Sequence, residues 1–540
     1  MAASGRERER PAWLEPLQVA LAEALPRLYG LAPEPEVGRQ TAALLEALER
    51  GQLLLSLPDG EAAALAASPL LRDMDGPMVL EAGQLGWRRW HSLRQQVLAA
   101  LLERARALPS TAEPDATAAT IPHSLPAADH GRLDSLQRQA VAAVLLHRLV
   151  LLQGGPGTGK TSTVAAMLAA VLERQPGTRL QLAAPTGKAA ARLKAATGGR
   201  HPCGTLHRLL ESRGDRFARN RRHPLALDLL VVDEVSMVDL ELMAALLEAL
   251  PTSATLVLVG DPAQLPPIAP GAVLLDLQHP ALRQALGAAA ITLTTAYRNA
   301  GAIAAVAAAL RAGLEDDQGD QDPLTVLQPR LETLTPADNL SWHRAPLGPV
   351  PAEVRRRLEG QLVALAMAAA GCHPGRDLGW RELLALRERL LVLSPRRGGP
   401  WGVDTLHRLL LGEATALPAL WPEGLPVLCS RNLPELGLAN GDVGVLVGQP
   451  GSVDRQVLFD GEEPLWIHPA QLGSAAEPAL ALTVHKAQGS EAAELIVLMP
   501  EARPDPRLLY TALTRARERA LLVVPTSVRE SCEPPPTRPD

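Results

Sequence analysis

The sequence predicts an α/β protein: two parallel-sheet domains, a helical N-terminal domain and a small β-rich insertion. Three observations carry this. First, apolar runs at 149–153, 180–184, 229–233 and 256–260 alternate with stretches of helical length, as in parallel strands joined by crossover helices. Second, a similar texture starts near Ile291 and resumes near Leu480. Third, the interval between them holds short strand-like runs at 427–429, 443–447, 457–459 and 466–468, with the turn signal Asn440-Gly441.

Taken in order, 1–108 reads as helical, with apolar residues at helical spacing in 44–55 and 97–108. Residues 109–129 are rich in Pro, Ala, Ser and Thr and form a linker. The first sheet domain is expected over 130–285, with an arginine-rich inserted stretch at about 211–226. The second takes 286–402 and 473–540, and the β-rich insertion takes 403–472. An acidic, Gly-containing loop is expected at 315–322, and no tandem repeat is visible.

At 540 residues the chain is too long for one compact core. Its 47% hydrophobic and 21% charged residues are ordinary for globular protein. The longest apolar stretches, such as 362–371, are too short to span a bilayer, and no apolar segment follows the charged residues 1–10. A cytoplasmic protein without a membrane partner is therefore expected. Cys203, Cys372, Cys429 and Cys532 lack metal-binding spacing and are expected to be reduced. The net charge of −6 neither selects nor excludes a polyanion partner, since a local basic groove suffices.

The chemistry is concentrated in three segments. Gly154-Gly155-Pro156-Gly157-Thr158-Gly159-Lys160-Thr161 fits the phosphate-binding loop pattern in full. It follows an apolar strand and opens a helix that starts Thr161-Ser162, so backbone N–H groups and the helix dipole face the phosphates. Lys160 is placed to reach the β- and γ-phosphates, and the Thr161 hydroxyl to hold Mg²⁺. Downstream, an apolar run ends in Asp233-Glu234, read as a strand end neighbouring the phosphate loop. Asp233 suits the metal, and Glu234 suits a general base acting on water. A third strand leads into Gly260-Asp261-Pro262-Ala263-Gln264-Leu265, where Gln264 is placed to touch the γ-phosphate.

Composition adds an independent pointer. Of 53 basic residues only four are lysines: Lys160, Lys188, Lys194 and Lys486. Where Arg fills the generic basic positions, a retained Lys marks a place for a compact ammonium rather than a guanidinium fork. The bland alternative is chance. Aromatic residues make up 2%, which disfavours extensive base stacking, and Trp401 is the stacking candidate or else a core residue.

Taken together, these segments resemble a superfamily 1B helicase, specifically the RecD family, the alpha subunit of exodeoxyribonuclease V in the RecBCD complex. The resemblance runs from about Leu133 to Val524, with motifs in family order. Leu136-Gln137-Arg138-Gln139 resembles the adenine-reading motif, with Gln137 as base contact. Ala184-Pro185-Thr186-Gly187-Lys188 and Thr205-Leu206-His207-Arg208 resemble the strand-contacting motifs of the first motor domain. Thr295-Ala296-Tyr297-Arg298 is similar to the motif whose arginine contacts the γ-phosphate. Thr483-Val484-His485-Lys486-Ala487-Gln488-Gly489-Ser490-Glu491 and Tyr510-Thr511-Ala512-Leu513-Thr514-Arg515 resemble the last two motifs, the latter carrying a second arginine finger. Ala487 departs from the usual serine and Ala492 from the usual phenylalanine, which touches strand grip rather than hydrolysis.

The resemblance implies two RecA-like motor domains, an SH3-like insertion and an N-terminal domain that docks a partner. It implies ATP and Mg²⁺ as cofactors, with Lys160, Glu234, Arg298 and Arg515 catalytic. Gln137, the phosphate loop from Gly154 through Ser162, Gln264, Gly489 and Glu491 would complete the nucleotide site. DNA would meet Pro185, Thr186, Lys188, Thr205, His207, Thr483, His485 and Lys486. Implied partners are single- and double-stranded DNA and RecB-like and RecC-like subunits in a heterotrimer, with 5′-to-3′ travel and the nuclease site on a partner. Arg213, Arg216, Arg219, Arg221 and Arg222 fall where the family has a strand-separating hairpin, and an exposed solvated loop is the alternative. A stand-alone helicase, a non-translocating ATP-binding scaffold and a different P-loop ATPase are the competing readings.

Overall fold

A computed structural model describes residues 14–30, 35–66, 68–72, 76–106, 133–214, 216–297, 301–315, 322–373, 379–452, 454–461 and 463–526. The expected linker, most of the acidic loop, Arg298 and Cys532 lie outside these residues.

Two parallel sheets form the frame. The first has the order Cys203–Thr205, Leu180–Ala184, Leu229–Val232, Thr255–Gly260, Leu149–Gly154, Ala290–Leu293. All of its neighbouring pairs are parallel. Its central strands are buried end to end, because crossover helices cover both faces; hence their unbroken Leu/Val runs. The second sheet runs Leu340–Ala345, Ala516–Pro525, Ala492–Leu498, Leu390–Ser394, Leu482–Thr483, again all parallel. Between Leu390–Ser394 and Leu482–Thr483 the chain leaves to build an antiparallel five-stranded sheet from Pro426–Cys429 to Ala476–Pro478.

The expected boundaries shift in three places. Ala290–Leu293 pairs with Leu149–Gly154, so the first sheet continues beyond 285. The insertion's last strand, Ala476–Pro478, lies beyond 472, while Val403–Leu411 at its expected start is a helix. Leu406 of that helix shares one core with Val392 and Leu498 of the second sheet and Val427 and Phe459 of the insertion. The insertion is therefore fused to that domain rather than tethered to it.

The N-terminal region is not wholly helical. Leu54–Ser56, Met78–Glu81 and Gln84–Trp87 form a three-stranded antiparallel sheet beside the helices Leu14–Leu28 and Pro35–Glu49. Its long last helix, Arg88–Arg106, belongs physically to the first sheet domain. Val97, Leu98, Leu101 and Ala105 enter the core built on Leu149, Leu246 and Leu256. Arg104 also donates to the carbonyls of Leu250 (2.7 Å) and Ala254 (3.0 Å), and Arg94 pairs with Asp276 at 2.9 Å. Leu101 is fully buried there, so Leu101→Ala is expected to cost about 2–5 kcal/mol, read by chemical denaturation. A loss under about 1 kcal/mol would return this helix to a separate N-terminal unit.

Trp401 is a core residue. It is fully buried, with its indole N–H donating to the Pro349 carbonyl at 3.0 Å, and offers no stacking face. Among the described residues, Cys203, Cys372 and Cys429 are free thiols, and no helix is long and apolar enough to cross a membrane.

Candidate nucleotide cleft and strand-contact surface

The phosphate loop is built as its glycines require. Gly157 and Gly159 have φ of +73° and +81°, left-handed values that side chains rarely adopt. A methyl built on Gly159 would lie 2.6 Å from the Gln137 amide nitrogen, and one on Gly154 would lie 2.5 Å from the Thr158 hydroxyl. Thr158 locks the loop by donating to the Gly155 carbonyl at 2.8 Å. Lys160, the first residue of the helix Lys160–Arg174, holds its ammonium inside the loop on the carbonyls of Gly154 (2.7 Å) and Gly155 (2.9 Å). Thr161 is half-buried at the helix start and Ser162 is exposed.

Gln137 is fixed by a capping box: its backbone donates to Asp134 at 2.8 Å while its side-chain oxygen accepts from the Asp134 N–H at 3.0 Å. Tyr297 donates its hydroxyl to the same Asp134 at 2.8 Å and its backbone N–H to the Gly157 carbonyl at 2.8 Å. The exposed Tyr297 ring thus stands with Gln137 at the rim of the loop.

Asp233 and Glu234 follow Leu229–Val232, which is not the immediate neighbour of the loop strand: Thr255–Gly260 lies between them. The Asp233 carboxylate nonetheless lies in the field of Lys160. Burial, and then the adjacent Glu234 carboxylate, push the Asp233 pKa above the usual range. Glu234 has φ +52°, a left-handed conformation that turns the chain sharply from the strand into the 3₁₀ turn Val235–Met237. Non-glycine strain of this kind is typical of positions where a side chain must be aimed.

The second sheet domain meets this site directly. Asp261, fully buried at the end of Thr255–Gly260, accepts the Tyr510 hydroxyl at 2.6 Å and lies 3.6 Å from Arg311. Burial and the Asp261 carboxylate raise the Tyr510 pKa, keeping the phenol protonated. The following loop carries the buried Gln264. Thr511 accepts from the Leu265 N–H at 2.8 Å, Gln488 donates to the Leu265 carbonyl at 3.3 Å, and Arg507 donates to the Pro262 carbonyl. Arg515 is 3% exposed, donates to the Thr511 carbonyl at 3.1 Å and lies in the field of Tyr510.

The strand-contact candidates share one construction. Thr186 caps the helix Gly187–Ala196, Thr205 caps Leu206–Leu209, and the Thr483 hydroxyl accepts from the Lys486 N–H at 3.3 Å. Thr186 and Thr205 each place a hydroxyl at a helix start and Thr483 places one at a turn, groups that suit phosphate oxygens. Pro185 precedes the first cap, and His207 stacks obliquely near Phe217 with ring centroids 6.0 Å apart. The two domains touch here as well: a methyl on Gly489 would lie 3.2 Å from the Thr186 hydroxyl. Two of the lysines are already engaged. Lys188 donates to Ser490 at 3.0 Å, and burial, then Arg387, push its ammonium down to about 7. Lys486 pairs with Glu477 at 3.0 Å. Glu491 pairs with Arg192, which also lies in the field of Asp233 and Glu234, while His485 is half-buried in the same segment. The arginine-rich segment is a short hairpin bridged at Ser212–Phe217 and Asn220–His223, with Arg213, Arg216, Arg221 and Arg222 exposed and Arg219 paired to Glu211.

Residues 137–270 match an AAA domain model, and 478–523 match a UvrD-like helicase C-terminal domain model. The RecBCD enzyme subunit RecD of Mycolicibacterium smegmatis is 36% identical over 566 residues, covering 94% of this chain and 93% of that protein. The chain belongs to the RecD family. An ATP-dependent RecD2 DNA helicase of Deinococcus radiodurans is 34% identical over 69% of this chain but 46% of its own length. Among solved structures, a Pif1 helicase from Candida albicans overlaps 74% of this chain and 96% of its own at a TM-score of 0.40 and 17% identity.

Within this RecD-family frame, sequence reasoning missed Arg311, Arg192 and the structural part of Asp261. Arg311 and Arg192 were hidden among 49 arginines, with no spacing to set them apart. Tyr510 carried a signal, as one of three tyrosines, two of which fall at the cleft.

Proposed function

We propose that this chain hydrolyses ATP and converts the cycle into 5′-to-3′ movement along single-stranded DNA, opening the duplex ahead. It would work in the cytoplasm as the motor subunit beside RecB-like and RecC-like partners in break repair, with DNA cleavage on a partner. The observation that carries this reading is the phosphate loop of one sheet domain lying against Tyr510 and Arg311 of the other. A triphosphate in such a cleft would bind Lys160 and the loop amides on one side. Arg515, and Arg298 by family resemblance, would serve the other, stabilising charge on the transferring phosphoryl group.

The donor set suits Mg²⁺: the Thr161 hydroxyl and the half-buried Asp233 carboxylate are hard oxygens. Mg²⁺ needs few protein ligands when phosphates and water supply the rest. Bound there, it would neutralise charge on the β- and γ-phosphates. Glu234 would then take the proton from the attacking water. Because the loop 261–266 is held by Thr511, Gln488 and Arg507, loss of the γ-phosphate would be felt across both domains. Thr186 and Thr205 on one domain and Thr483 on the other would alternate their hold on the strand. The exposed hairpin arginines suit the duplex junction, where phosphate contacts are indifferent to sequence. The first helix leaves Leu17, Val19 and Leu28 exposed, which supports a docking role for the N-terminal region.

Lys160→Gln tests the reading. We expect DNA-stimulated ATP hydrolysis to fall to background in a coupled assay while co-purification with RecB- and RecC-type partners persists. Unchanged turnover would remove the assigned site.

A further inference from the structure

We propose that Arg311 is a positioning residue for hydrolysis, tying the second sheet domain to the phosphate loop through Asp261. This rests on the ATP-driven reading above.

The helix Ala302–Glu315 belongs to the second domain's core, through Ile303, Val306 and Leu310. Arg311 follows on that helix and points across the domain boundary. A methyl built on Gly155 would lie 3.0 Å from an Arg311 guanidinium nitrogen and 3.3 Å from the Tyr510 hydroxyl. Gly155 does not have a left-handed backbone, so its lack of a side chain answers to this crossing of chains rather than to φ. Its carbonyl is one of the two that hold Lys160. The guanidinium is therefore one residue's backbone away from the lysine that meets the phosphates.

Its partner is equally placed. Asp261 is wholly buried, and such a carboxylate persists only with compensating donors. Compensation comes from the Tyr510 hydroxyl donating at 2.6 Å, the Ala263 N–H donating at 3.1 Å and the Arg311 guanidinium as an ion pair at 3.6 Å. Two of the three come from the other domain. Asp261 also opens the loop that carries Gln264. Arg311 thus holds both the base of that loop and the wall of the phosphate cradle, so that a strand pulling on the second domain is felt at the nucleotide.

The test compares wild type with Arg311→Met, Arg311→Lys, Tyr510→Phe and the Arg311→Met/Tyr510→Phe double variant, as full chains. ATP turnover is measured with and without an oligothymidine strand, and binding of a fluorescent ATP analogue is measured in parallel. In Arg311→Met the strand-stimulated kcat is expected to drop by about 10²-fold, with analogue affinity held within about 3-fold. The ratio of stimulated to unstimulated rate should collapse with it, and Arg311→Lys should recover part of it. Tyr510→Phe should add little in the double variant, since both act through one carboxylate. An unchanged stimulation ratio in Arg311→Met, or fully additive losses, would overturn the inference while leaving the ATPase assignment standing. A wild-type chain without ATP turnover would overturn both.

Discussion

Glu234→Gln is expected to lower ATP turnover by about 10²–10⁴-fold while nucleotide binding survives. The amide keeps the shape of the side chain and the left-handed turn at φ +52°, but cannot accept a proton from water. Binding should if anything tighten. Part of the upward push on Asp233 comes from the Glu234 carboxylate, so neutralising it makes Asp233 a readier anion for the metal. Single-turnover hydrolysis and titration with a fluorescent nucleotide would check this. Turnover within about 3-fold of wild type would remove Glu234 as the base and leave its strained backbone without a catalytic explanation.

Arg515→Ala should have the larger effect, about 10³–10⁵-fold on turnover, if its guanidinium stabilises charge on the transferring group as arginine fingers do. Its position favours that use. It is 3% exposed, donates to the Thr511 carbonyl and lies in the field of Tyr510, whose hydroxyl lies at the phosphate loop. Arg515→Lys keeps the charge and discards the fork, and we expect it to recover only a small part of the loss. Thermal melting separates this from unfolding, because a finger contributes to the transition state rather than to the resting fold. A rate loss matched by a collapse of the melting transition would mark Arg515 as structural.

Much of this cleft was legible in the sequence because its parts are local. A phosphate loop needs its glycines, lysine and threonine in consecutive positions, and the strand before it needs an unbroken apolar run. Leu149–Gly154 supplies one and is buried throughout. What escaped is non-local. The helix Arg88–Arg106 reads as N-terminal, yet its Leu101 is buried by residues far along the chain such as Leu246. The strand Leu54–Ser56 continues an apolar spacing that also fits a helix, and only its pairing with Gln84–Trp87 decides the matter. The order of strands placed Thr255–Gly260 between the phosphate loop and Asp233, which no run of residues announces.

Lys160 lies on two loop carbonyls, Lys188 on Ser490 beneath Arg387, and Lys486 on Glu477. Each is a tight setting for a compact ammonium, and two of the three bridge separate segments of the cleft rather than face open solvent. Their engagement with protein partners means that DNA would have to displace Ser490 and Glu477 before either lysine could bind phosphate. That suits side chains released only when the domains move. Arg311 had no such signal, since arginine is the common basic residue of this chain and its meaning comes only from what stands opposite.

The sandwich itself is most directly tested by a structure of the full chain with ADP–aluminium fluoride, Mg²⁺ and an oligothymidine strand. The arginines of the second sheet domain, Arg515 and Arg298, should place guanidinium nitrogens about 3 Å from the fluoride ligands while Lys160 and Thr161 hold the other side. An analogue bound only by the first domain, with both arginines turned elsewhere, would contradict the two-sided engine on which the proposed movement depends.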